Sequence, residues 1–81
     1  MKLEEAIEQF KIGRFEQIEV MRNPSKSTQW FAMLRKTSGK SLMLADSEDN
    51  PIVVDDIEEL FSIIKKIGFH EAKVFFSFKA R

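Results

Sequence analysis

The sequence predicts an α+β domain: an antiparallel β-meander of three to five strands packed in two layers against one long and one short helix, in the order α-β-β-β-(β)-α-β. Three observations predict it. Ile57, Leu60, Phe61, Ile64 and Ile67 recur at helical spacing and fall on one face. Val74, Phe76 and Phe78 then alternate with Lys73, Phe75, Ser77 and Lys79, a period of two. Between Phe15 and Val54, short apolar runs are separated by turn-forming residues, as in a meander.

The elements follow in order. Leu3, Ala6, Ile7 and Phe10 form a short helical stripe that stops at Gly13, too short to persist unless it docks. From Phe15 to Arg22 the period changes to two, with Ile18 and Val20 on one side and Glu19 and Met21 on the other. The stretch Asn23 to Thr28 (NPSKST) is turn chemistry, since Pro24 carries no N–H for a ladder. Trp30 to Lys36 is apolar on both parities, as a central strand would be, and a turn at Thr37-Ser38-Gly39 leads into Ser41 to Asp46. A second turn over SEDNP precedes a fourth short strand at Ile52 to Val54. Asp55 with Glu58 has capping-box spacing for the long helix, and Lys65 and Lys66 suit its negative C-terminal end. Gly68 offers a left-handed stop, with Phe69 folding back as the apolar contact. The last strand either joins the meander by a crossover or reaches into a partner's sheet.

The 81 residues make one domain, 1–81, with no repeat, low-complexity tract or linker. A chain of this size buries only about 60–65% of its unfolded surface, so its stability is expected on the order of 4–12 kcal/mol. There is no cysteine, which removes disulfide and thiolate chemistry. The opening MKLEEAIEQF has acids where a signal peptide needs an apolar core, and no apolar run approaches membrane-spanning length. A cytoplasmic protein with no membrane association is expected. Zero net charge conceals blocks: residues 21–40 carry five bases and no acid, and residues 41–60 seven acids and no base. Such blocks mark complementary faces, either within one fold or between two copies. In a dimer, the acidic block at 46–59 of one copy is expected to face the basic block at 22–40 of the other.

Function is read from the sheet's faces. With Ile18, Val20, Leu42, Leu44, Val74, Phe76 and Phe78 toward the helices, Met21, Met43 and Phe75 point away. Strand two adds either Phe31 and Met33 or Trp30, Ala32 and Leu34 to that outer side. Monomers seldom expose several large apolar groups together, and methionine adapts to partners. The expected interaction surface is therefore Met21, Phe31, Met33, Met43 and Phe75, used by a non-catalytic binding module that self-associates through its sheet as a homodimer. A protein partner in place of a second copy fits the same surface.

The alternative is a small nucleic-acid-binding regulator. Arg22, Lys26, Arg35, Lys36 and Lys40 fall on the first hairpins with Trp30 and Phe31 among them, and basic strands can contact phosphates. Against it, Asp55, Asp56, Glu58 and Glu59 at the start of the long helix repel phosphate. No catalytic residue is assigned: His70 is the only histidine and sits in a turn, and no serine stands in a nucleophile elbow. Asp46, Glu48 and Asn50 have the first oxygen spacings of a calcium loop. Pro51 stands where that loop needs glycine and Ile57 where it needs glutamate, so no metal is assigned. No glycine-rich phosphate motif occurs, and no cofactor is expected.

Overall fold

A computed structural model describes residues 1–76. The elements are α1 (Leu3–Lys11), β1 (Phe15–Asn23), β2 (Lys26–Lys36), β3 (Ser41–Met43), α2 (Ile57–Ile67) and β4 (Lys73–Val74). The four strands form one sheet in the order β3-β2-β1-β4. The first three make the expected antiparallel meander, whereas β4 lies parallel to β1, with Glu19 opposite Lys73 and Val20 opposite Val74. β3 and β4 thus run in the same direction, and α2 carries the chain back across the two strands between them. The last strand therefore joins its own sheet. Ser77, Phe78 and Lys79 of the expected strand lie outside the described residues.

Pairing decides which parity faces inward. Ile18 lies opposite Leu34 and Val20 opposite Ala32, and all four are fully buried. Trp30, Ala32 and Leu34 therefore point to the helices. Both helices sit on that one side, because Ala6 of α1 and Leu60, Ile64 and Ile67 of α2 share a core with these strand residues and Leu44. The result is two layers.

The ends of the helices follow from local chemistry. At α1, the Glu5 carboxylate accepts from the Lys2 N–H at 3.2 Å. At α2 the cap is Asp56 rather than Asp55: its Oδ1 accepts from the Glu58 N–H at 3.0 Å, so the helix opens one residue later than its charges suggest. Gly68 ends α2 at φ 130°, and its N–H and that of Phe69 both reach the Ile64 carbonyl, at 3.3 and 3.4 Å. Glycine is required twice over here, since a Cβ would also stand 2.6 Å from Phe10 Cε2. Phe69 does fold back, its ring 4.7 Å from that of Phe10 and 5.9 Å from that of Phe15.

Several details differ from the sequence reading, and β3, expected to run from Ser41 to Asp46, ends at Met43. The first turn is only Pro24-Ser25, because the Asn23 side chain accepts the Ser25 N–H at 3.0 Å and lets β2 start at Lys26. Ile52 to Val54 forms no strand; Val54 meets β2 through an isolated bridge to Trp30, and Pro51 just before it bridges Ala45 beyond the end of β3. Phe76 lies on the Trp30 side as expected, but it packs edge-on against that ring and stays 71% exposed.

Candidate contact face

The side of the sheet away from the helices can be laid out row by row from the register. The first row is Ser41, Arg35 and Gln17; the second is Met43, Met33, Glu19 and Lys73. The third is Phe31 and Met21, with Phe75 next on the β4 side by alternation from Lys73. The Lys73 ammonium lies 5.2 Å from the Phe75 ring centre, which places the two side chains together. The five expected contact residues, Met21, Phe31, Met33, Met43 and Phe75, thus share one face and form a diagonal apolar band across it. No described helix covers this face.

The remaining positions hold a polar knot that sequence reasoning missed. Glu19 is the one buried charged residue among those described, with its side chain only 6% exposed. One carboxylate oxygen accepts from Arg35 Nη2 at 2.8 Å and also from the Gln17 amide. With Arg35 and Gln17 bonded to it, Glu19 is buried on a face without a second layer. Its parity with Met21 was visible in the sequence; its burial was not, because that depends on which residues stand opposite. Arg35 Nε is also buried and has no partner among the described residues.

The five candidate bases for nucleic acid are dispersed. Arg22 is committed internally: its guanidinium lies 4.3 Å from the Trp30 ring centre and donates to the carbonyls of Phe76 at 2.7 Å and Ser27 at 2.6 Å. Arg35 is paired with Glu19. Lys26 opens β2, while Lys36 ends it and Lys40 follows in the next turn. At about 3.4 Å per residue, the length of β2 puts Lys26 on the order of 30 Å from the other two. In the acidic loop, Asp46 Oδ1 is occupied by the N–H groups of Glu48 and Asn50, at 2.9 and 3.0 Å. His70 is exposed in the loop after α2.

That loop separates two grooves. The larger, about 540 Å³, lies toward β1 and is lined by Phe10, Glu16, Gln17 and Lys73. The smaller, about 200 Å³, lies between α2 and β4. No described helix is long and apolar enough to cross a membrane. Comparison of the chain with protein-family models, with curated proteins and with solved structures yields no match. The functional reading rests on this geometry.

Proposed function

We propose that this domain is a non-catalytic interaction module that self-associates through the outer face of its sheet. One observation carries the reading: the cross-strand pairs Met21–Phe31 and Met33–Met43, with Phe75 beside them, form a continuous apolar band on the face opposite both helices. A second copy is the partner that most simply matches such a band, because a two-fold contact sets the same side chains against one another.

Size sets the strength. With strands about 4.8 Å apart and same-face neighbours about 6.8 Å apart, the three rows span on the order of 300–400 Å² of flat area. A standard interface takes about 800 Å² from each partner, so this face alone supports a transient pair, micromolar or weaker. The acidic start of α2 belongs to the helix layer and points away from such a seam. Apolar contact therefore drives the association, and its salt dependence is small.

Sedimentation velocity from about 1 µM to about 1 mM tests the reading, since that range brackets a weak interface. The sedimentation coefficient should rise with concentration in the wild type and stay at the monomer value in Phe75→Glu. Lys73 beside residue 75 offers that carboxylate only an exposed partner, so the seam loses the apolar ring and must desolvate a charge in its place. A wild type that remains monomeric throughout the range overturns the proposal.

A further inference from the structure

The two edges of the sheet are unlike. The β3 side is closed by the start of the chain: the Met1 amine donates to the Met43 carbonyl at 2.7 Å, the Ala45 N–H to the Met1 carbonyl at 2.7 Å, and the Leu3 N–H to the Ala45 carbonyl at 2.9 Å. On the other side β4 is the last strand, and its outer edge has no strand partner among the described residues. The Phe75 N–H donates to the Val20 carbonyl at 2.8 Å and so points to β1. By alternation, the N–H and C=O of Val74 point outward.

Beside this open edge lies the smaller groove, about 200 Å³, lined by Phe61, Ile64 and Lys65 of α2 and by Phe69 and Val74. An open strand edge next to an apolar groove under a helix is the arrangement that accepts an added strand: main-chain hydrogen bonds hold the peptide, and the groove reads alternate side chains. The register fixes what each position meets. A residue set opposite Val74 shares its face and enters the groove beside Phe61. Its neighbours stand on the other face, next to Lys73 and Phe75. Lys65, which lines the groove, and Lys73, which stands on the outer face of β4, are both exposed. Glu71 is the one acid among the groove's lining residues, so two cations against one acid favour an acidic ligand.

We infer that β4 and α2 form a docking slot for an extended segment of a partner protein, with an aliphatic side chain opposite Val74 and an acidic residue opposite Lys73. The slot lies on the edge of the sheet and does not depend on self-association through the outer face.

The probe is a fluorescein-labelled, end-capped peptide Thr-Glu-Leu-Val-Thr, followed by anisotropy and by amide chemical shifts of the labelled protein. Saturable binding is expected, with shifts gathered at Val74, Phe61, Ile64 and Lys65. With its glutamate opposite Lys73 and its leucine opposite Val74, the probe runs parallel to β4, and the N–H of its valine meets the outward Val74 carbonyl. N-methylation of that valine nitrogen should weaken binding about ten-fold, the worth of one main-chain hydrogen bond at the upper end of its range. Val74→Pro should do the same, since it removes the outward N–H and leaves those of Lys73 and Phe75 facing β1. Lys65→Glu and Lys73→Glu should each weaken the acidic probe and favour its Glu-to-Lys counterpart. If Val74→Pro does not fold, the N-methylated probe on the wild type still decides. The slot is refuted by no saturable binding up to about 1 mM, the limit of specific affinity. It is equally refuted by binding indifferent to N-methylation, or by a Val74→Pro effect confined to self-association.

Discussion

The two faces of this sheet are made from alternate residues of the same strands, yet they are held by different physics. Toward the helices, Ile18, Val20, Ala32, Leu34 and Leu44 are fully buried beneath α1 and α2. On the other side Met21, Phe31 and Met33 are only half-covered, by one another, and Met43 is 37% exposed. An apolar side chain gains stability from the area it removes from water. The inner residues obtain that gain within one chain, whereas the outer ones leave part of it available to a second surface. A sheet with one closed face and one half-covered face is therefore a folding unit that leaves apolar area over for the proposed contact.

The largest expected effect lies on the inner face. Leu60→Ala, at a fully buried position of α2, should cost about 2–5 kcal/mol, because it removes buried methyl groups and leaves a cavity. Leu44→Ala should fall in the same range. Urea denaturation at equal denaturant dependence measures both, and losses below ~1 kcal/mol would show that the helix layer is not what holds the sheet.

How much of this was legible in the sequence depended on the range of the signal. The α2 stripe and the glycine stop at Gly68 are local, and both were readable from spacing and residue type. The outer band was readable from parity on β1 and β3, where polar and apolar residues alternate. On β2 every residue from Trp30 to Leu34 is apolar, so pattern alone left two choices open; pairing of Ile18 with Leu34 settled them. The parallel placement of β4 was hidden because two paired residues carry it. Adjacent acids at 55 and 56 left the cap open to either, and Asp56, held in extended backbone, is the one that accepts from the Glu58 N–H. Glu19 looked like an ordinary solvent-facing residue, since its cover comes from Arg35, sixteen positions away.

A middle-sized effect breaks the polar part of the outer face. Arg35→Met keeps much of the side-chain length but leaves the buried Glu19 carboxylate with the Gln17 amide alone. A cost of about 1–3 kcal/mol is expected, below the value for a fully buried pair because the Arg35 side chain is 42% exposed. The double variant Glu19→Leu with Arg35→Met should recover most of that loss, since an apolar pair removes the unpaired charge as well as the ion pair. No recovery in a double-mutant cycle would mean that Arg35 stabilises the sheet through packing rather than by compensating Glu19.

The smallest effect on stability should come from Met43→Lys, and it is the sharpest comparison because Met43 adjoins Leu44 on the chain. Met43 ends β3, stands opposite Met33 on the outer face and is 37% exposed. A lysine there can extend its stem over Met33 and keep its ammonium in water. Its backbone pairing is unaffected, because the Met1 amine bonds to the carbonyl of residue 43 and not to its side chain. Stability should change by no more than about 0.5 kcal/mol, as for an ordinary surface substitution. Self-association should nevertheless weaken, because each copy would bring an unpaired ammonium to the seam, where taking it out of water has no compensating partner. Denaturation and sedimentation of the same variant read the two effects separately. A stability loss of more than about 1 kcal/mol would place Met43 among the residues that hold the fold. Unchanged association would remove it from the contact band and narrow that band to Met21, Phe31, Met33 and Phe75.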